Sequence, residues 1–352
     1  MSKPHIAITM GDPAGIGPET IVGAWSDAAL HACCRPLVVG HPEILRRAVR
    51  LLHSDAQVEL IDSPEAALAA PDRIPCLKTG SDDVLQVAPG TIDARGGQAA
   101  YDALILAARL ALDGRVDAIT TAPLHKAALW QAGHHYPGHT ELLAELCGVD
   151  DFAMMLYLAP GPFIRGEAGL AIVHVTLHMA LAEVFAALTT EAVVAKARLV
   201  SEVMRRIKGS APRVGVCALN PHAGEEGLFG DEERRIIRPA VERGVAEGLN
   251  LVGPAPADTL ISRACRGEFD AVVAMYHDQG HIAIKLLEMH RAVNVTLGLP
   301  IVRTSVAHGT AFDVAWQGRA ECGGMVEAVR IAALLSRSAP GSAGRSFAVE
   351  DD

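Results

Sequence analysis

His178, His222 and His277 each come just after a short apolar run: AIVHVTL, VGVCALNP and AVVAMY. Such runs read as buried strands, and polar residues at their ends read as a site held on a rigid scaffold. Three neutral imidazoles with open positions for water or substrate are a common arrangement for catalytic zinc. A metal so held polarises a hydroxyl or a carbonyl. The separations along the chain are long, so three unrelated hydrogen-bonded histidines fit the same pattern. The stretch Ala274–Ala320 adds His281, His308, Lys285, Asn294 and Arg303. Lys285 and Arg303 bring positive charge for an anionic substrate, and Asn294 both donates and accepts. A glycine turn, Gly309–Thr310, lies close to an acid, Asp313. His139 is either a ligand contact or a surface-loop histidine, and Thr140 beside it reads as the N-cap of the helix ELLAELCG. His174 shares the strand of His178 at an even spacing, and the residue at the strand end is the better ligand candidate.

These residues need elements to hold them. His5–Met10 reads as a strand that enters the glycine-rich turn GDPAGIGPET, followed by a helical pattern from Glu19 to Leu30. Gly11, Gly15 and Gly17 supply either a tight turn or a phosphate cradle at a helix N-terminus, and their spacing matches no nucleotide fingerprint. Leu37–Gly40 and Val58–Ile61 read as strands with a helix from His41 to Leu52 between them. Gly96–Asp113 and Thr189–Lys208 are amphipathic helices. NVTLGLPIV reads as one more buried strand. Asp231, Glu232 and Glu233 open a helix, where acids suit its dipole. Strands alternating with helices predict mostly parallel sheets with ligands at the carboxyl ends of strands. Beyond Leu335 the tail SRSAPGSAGRSFAVEDD reads as disordered.

Composition bounds the rest. The 352 residues are half apolar and 20% charged, which suits a large core, more readily two domains than one. No apolar run is long enough to span a bilayer, and the strand pattern begins at once, without a signal peptide. Seven scattered cysteines without a CxxC fit reduced thiols in the cytoplasm. A net charge of −10 argues against nucleic acid as a partner, so an anionic substrate needs a locally basic pocket.

MGDPAGIGPE, TAPLHK, YPGHTELLA, LNPHAGEEGLFGDEE, GPAPADT, MYHDQG, NVTLGLPIVRTS and HGTAFD occur in this order over nearly the whole chain. Together they resemble the 4-hydroxythreonine-4-phosphate dehydrogenase family of pyridoxal phosphate biosynthesis. A more distant resemblance is to isopropylmalate and isocitrate dehydrogenases. The resemblance implies an α/β fold with mostly parallel sheets and a central cleft. One domain would comprise residues 1–130 and 300–352, with both termini and the nucleotide loop; the other, 131–299, would carry metal ligands and dimer contacts.

It also implies a divalent metal, zinc in most accounts, on His178, His222 and His277. Substrate contacts would fall on His139, Thr140, Lys285, Asn294 and Arg303, with Lys285 as the catalytic group. NAD would lie over Gly309, Thr310 and Asp313, the acid accepting from ribose hydroxyls and repelling the 2′-phosphate of NADP. The implied assembly is a homodimer with shared sites, in which His277 completes a site begun by His178 and His222 of the partner. His281 and the segment FDVAW resemble a second branch, the 4-phospho-D-threonate and 4-phospho-D-erythronate dehydrogenases. The dihydrodiol dehydrogenases of terephthalate breakdown share YHDQGH but fit GHTE and RTS less well. The reaction implied is NAD-dependent, metal-assisted oxidation, with decarboxylation, of a phosphorylated four-carbon hydroxy acid. Two rivals are a non-redox metal hydrolase or lyase and a non-catalytic sensor of phosphorylated acids.

Overall fold

The computed structural model describes residues 3–337. The helix that ends the described chain, Gly323–Arg337, runs past Leu335, and the remainder of the expected tail lies outside the described residues.

The strands of the amino-terminal half are β1 (His5–Thr9), β2 (Arg35–Gly40), β3 (Gln57–Ile61), β4 (Arg73–Lys78) and β5 (Ala118–Thr121). Those that follow are β6 (Ala153–Leu158), β7 (Leu170–His174), β8 (Val214–Cys217), β9 (Leu251–Ala255), β10 (Ala271–Ala274), β11 (Val293–Leu297) and β12 (Arg303–Val306). All belong to a single sheet in the order β3-β4-β2-β1-β5-β12-β11-β6-β7-β10-β8-β9. Pairing is parallel in both wings and antiparallel only in the middle, where β12, β11, β6 and β7 meet. The expected mixed α/β fold with a mostly parallel sheet is therefore what the chain adopts.

Each wing has its own apolar packing. Ile6, Ile8, Trp25 and Leu45 pack around β1 and β2. Val173, Val194, Val216 and Ile237 pack around β7 and β8. The terminal helix joins them, with Met325, Val329 and Ala332 in the first group and Ala328, Ile331 and Leu335 in the second. That split follows from its periodicity, since two apolar stripes on one helix face two neighbours.

Local chemistry explains where expectation and structure part. The helix expected from Glu19 to Leu30 is broken: Gly17–Trp25 ends, and Asp27 caps a second helix by accepting from Ala29 N at 2.8 Å. An aspartate that bonds the backbone two residues on competes with helix continuation. NVTLGLPIV is not one strand. Gly298 takes φ +88°, and the chain turns back so that β11 and β12 run antiparallel with Thr296 opposite Arg303. The three glycines of the first turn are packed against protein rather than open to a phosphate. A Cβ at Gly11 would stand 2.3 Å from Pro123 O, at Gly15 2.9 Å from Thr310, and at Gly17 2.4 Å from Met10 O. A turn that needs positive φ is found at Gly11 alone, at +70°; Gly15 and Gly17 serve close packing instead. Among the described residues no helix is long and apolar enough to cross a membrane.

Candidate active site

A cleft of about 320 Å³ lies where β5, β11 and β12 meet the loops after β7 and β10. It gathers His139, Thr140, His178, His277, Lys285, Asn294, Arg303 and Gly309. His222, Thr310 and Asp313 do not line it.

Arg303 is held from inside the sheet. Its Nη2 donates to Thr121 Oγ1 at 2.7 Å on β5, and its Nη1 to Thr296 Oγ1 at 3.0 Å on β11. The residue is 2% exposed, and burial pulls its pKa down to about 10, with the Glu141 carboxylate opposing. Among the described residues no carboxylate pairs with it, and its Nε has no partner. Asn294 Oδ1, on the neighbouring strand, is likewise buried and unpartnered. Two orphaned polar atoms on residues lining one cleft leave two hydrogen bonds for a ligand to complete.

His139 begins the helix His139–Cys147, so Gly138, not Thr140, occupies the N-cap position. The extended backbone of Gly138 leads directly into the helix, and Thr140 lies within its first turn. Burial and then the charge of Arg303 hold the His139 pKa well below the usual histidine value. Its ring is therefore neutral beside the guanidinium.

The helix His277–Glu288 supplies a whole face of the cleft. His277, His281 and Lys285 recur at a spacing of four and share one side. The rings of His277 and His281 stack with centroids 3.7 Å apart at 12°. Behind them His174 meets His281, Nε2 to Nδ1, at 3.1 Å. Burial lowers the His174 pKa to about 3 and that of His281 to about 4. His281 and Lys126, both in the cleft wall, were not among the expected site residues. The repeat of four through HDQGHIAIK was the available signal for His281. Lys126 had a weaker one, the cation in TAPLHK just after a strand end. Glu141, the acid of GHTE, offered no signal beyond its place beside His139.

His178 lies beyond the end of β7 rather than on it, because β7 stops at His174. Its ring centroid is 5.7 Å from that of His277. Burial and the charge of Lys126 lower its pKa, which keeps the ring available as a neutral donor. His277 Nδ1 bonds Asp278 Oδ1 at 2.7 Å, leaving Nε2 free. A carboxylate on one ring nitrogen with the other free is how ligating histidines are usually oriented. The pair offers two of the donors that a divalent ion needs. His222 is exposed on the loop after β8, and no group of three suitable side chains converges within the described residues. Within the single chain His178 and His277 line one cleft, and His222 does not line it.

The loop that follows β12 leaves one of its three expected positions open. A Cβ on Gly309 would meet nothing within 4 Å, so the backbone there is open to a close approach. His308 Nε2 beside it is buried and unpartnered. Thr310 instead packs under Gly15 and accepts from Ile16 N at 3.0 Å through its carbonyl, while Asp313 is exposed. The loop is tied to the first turn by Glu19, 1% exposed, which accepts from the backbone N–H of Trp316 and, at 2.8 Å, of Gly318.

Comparison with known proteins agrees with this architecture. Residues 32–332 match the family described as pyridoxal phosphate biosynthetic protein PdxA. The chain is 45% identical over 338 residues to a 4-hydroxythreonine-4-phosphate dehydrogenase of Trichlorobacter lovleyi, covering 95% of this chain and 98% of that one. It is 43% identical over 337 residues to a D-threonate 4-phosphate dehydrogenase of Pectobacterium atrosepticum, covering 96% and 100%. A crystal structure of the 4-hydroxythreonine-4-phosphate dehydrogenase from Klebsiella pneumoniae superposes with a TM-score of 0.84 at 42% identity, over 95% of this chain and 100% of that one. A sheet wound this way, a basic cleft at its centre and a family match over most of the length lead to one conclusion: the chain belongs to the PdxA family of oxidoreductases.

Proposed function

We propose that this chain oxidises a four-carbon 2,3-dihydroxy acid bearing a 4-phosphate, with NAD as acceptor and a divalent metal, zinc first, as helper. The observation that carries this reading is the pair of unsatisfied polar atoms, Arg303 Nε and Asn294 Oδ1, in a cleft shared with His178 and His277. A phosphate or carboxylate completes the arginine and a substrate hydroxyl completes the asparagine.

Held by His178, His277 and His222, a divalent ion would draw electron density from the substrate oxygen, while NAD over Gly309 and Asp313 would take the hydride. The chain's own residues do the remaining work. Arg303, braced by Thr121 and Thr296, fixes one anionic end of the substrate. Neutral His139 adds a hydrogen bond without adding charge. Lys285 makes no ion pair within the described residues, so its ammonium is free to hold the other anionic end. The secondary alcohol passes its hydride to NAD and its hydroxyl proton to solvent and becomes a β-keto acid. Its C–C bond to the carboxylate then breaks, the electron pair stays on carbon, and Lys285 supplies the proton there.

His222 is exposed and does not line this cleft, and the segments that carry the three histidines expose Leu181, Phe185, Leu228, Phe229, Ile282 and Leu286. A homodimer covers such side chains and brings a partner's His222 to the pair of the first subunit. Free thiols throughout suit the cytoplasm.

The relatives divide on substrate, since both names occur at nearly equal identity. His281, one more neutral imidazole in the cleft wall, favours 4-phospho-D-threonate or 4-phospho-D-erythronate over the amino acid, whose C2 ammonium would face Lys285 and Arg303. A mispaired buried polar group costs about 1–3 kcal/mol. The expected preference is at least about tenfold in kcat/KM. Absorbance at 340 nm with each phosphorylated acid and NAD tests it. Turnover of 4-hydroxythreonine 4-phosphate as fast as of the sugar acids would give the second reading, a vitamin-pathway enzyme; no reduction of NAD with any of them would end both.

A further inference from the structure

The loop after β8 is coiled in the hand that L-residues avoid. His222, Ala223, Gly224, Glu225 and Glu226 have φ of 53°, 56°, 78°, 42° and 57°. Only Gly224 escapes the clash between Cβ and carbonyl that this conformation brings. Four strained residues around one glycine persist only where the surroundings impose them, and such strain gathers at functional sites.

Glu233 imposes it. This carboxylate is 4% exposed and pairs with no Lys or Arg among the described residues. Its Oε1 accepts the backbone N–H of Leu219 and of Asn220, each at 2.8 Å. Its Oε2 accepts from Asn220 Nδ2 at 3.1 Å, and Glu232 takes the same amide at 2.7 Å. Gly224 closes over the far side, where a Cβ would stand 2.8 Å from Glu233 Oε2. The acid expected to serve a helix dipole instead holds the entry to the left-handed turn, through Leu219 and Asn220, and packs against its middle at Gly224. His222 is the first residue of that run, two positions after Asn220, and is exposed.

We propose that Glu233 is the positioning residue for His222: by holding the entry to the left-handed turn it fixes where the imidazole stands to meet a divalent ion. This inference rests on the reading of His222 as a metal ligand. Glu233 touches neither substrate nor metal, and its effect reaches the site only through the turn.

The test is metal binding by the full-length protein, measured by chelator competition with Zn2+ and by the visible spectrum of the Co2+ form. Glu233→Gln keeps the size but sets an amide N–H2 against donors. It should weaken metal binding at least about tenfold, the usual effect of losing an outer hydrogen-bond partner, and shift the Co2+ bands. Near-UV circular dichroism should stay close to the parent's. Gly224→Ala attacks the same contact from the other side and decides the matter if Glu233→Gln does not fold. Parent-like affinity and an unchanged Co2+ spectrum in a folded variant would overturn the role of Glu233. Parent-like affinity in His222→Ala would instead overturn the ligand assignment beneath it, whatever Glu233 does.

Discussion

His281 Nδ1 and His174 Nε2 share a hydrogen bond of 3.1 Å between two buried rings, and a glycine makes room for it. A Cβ on Gly280 would stand 2.5 Å from His174 Nε2 and 2.7 Å from Ile172 Cγ2. Both imidazoles are neutral, so one donates and the other accepts. The pair backs the ring of His277 through the stack with His281. Gly280→Ala should therefore cost about 1–3 kcal/mol, the usual penalty for overfilling a packed site. Thermal unfolding measures this; a variant that melts with the parent would mean the helix slides freely away from β7.

The metal reading predicts shared loss. His178→Ala, His222→Ala and His277→Ala should each release the ion and abolish turnover while the secondary structure survives. Atomic absorption on the purified variants decides it, and full metal content with activity in any one of them removes that residue from the site.

Arrangement across a dimer is separable from the ligand identities. If His178 and His277 of one subunit meet His222 of the other, mixing His178→Ala with His222→Ala protein rebuilds one intact site per heterodimer. Mixing His178→Ala with His277→Ala rebuilds none. Recovery in the second mixture and not in the first would favour the division in which His277 stands alone. Silence in both, with exchange proven, would put the site within one subunit.

Arg303→Lys tests the cleft's anion contact. Lysine keeps the charge but loses the fork that reaches Thr121 and Thr296 while leaving Nε for substrate. A hydrogen bond to a charged group is worth about 1.5–3 kcal/mol. The expected fall in kcat/KM is roughly 10- to 150-fold, most of it in KM. An unchanged KM would move the anion elsewhere in the cleft.

Asp12 sets a pH dependence of stability. It is 1% exposed, its Oδ1 accepts from Ala14 N at 2.9 Å, and its Oδ2 has no partner. Burial raises its pKa from the ordinary 3.8 to about 6, the Ala14 hydrogen bond opposing. The folded state thus holds a proton that the unfolded chain releases first. Stability from this group is present below about pH 4 and lost as pH rises through about 6, a change of about 3 kcal/mol. Asp12→Asn carries no such proton. Its stability relative to the parent should grow between pH 4 and 6 and level off above, as denaturant melts at several pH values will show; a constant difference would mean the carboxylate finds water.

Much of this was legible in the sequence because it is local. The helices Ala94–Leu112 and Thr190–Lys208 declare themselves by apolar period and by their caps, Asp93 and Thr189. The cations Lys285 and Arg303 stood out by type alone. What stayed hidden depends on the chain's neighbours in space. Nothing near Arg303 in sequence announces Thr121, 182 positions away. Glu233 opens a helical segment and so looked like a dipole partner, because the turn it holds is recognisable only from dihedral angles. Gly280 looked like helix interior until His174 was found against it. The left-handed run contains one glycine where five positive φ angles occur, and no composition rule anticipates that.

The place of β12 in the sheet has a consequence for the ribosome. β12 begins at Arg303 yet pairs with β5, which ends at Thr121, and with β11 on its other side. Until it emerges, β5 waits with an open edge of unpaired N–H and C=O groups, a template for any passing strand. At ordinary elongation rates the intervening chain takes about 10–40 s to make. The Glu19 tie to Trp316 and Gly318 comes later still. The amino-terminal wing is thus an unfinished sheet for most of its synthesis, and nascent chains stopped short of residue 303 are the ones that chaperones should hold, measurable by crosslinking on stalled ribosomes.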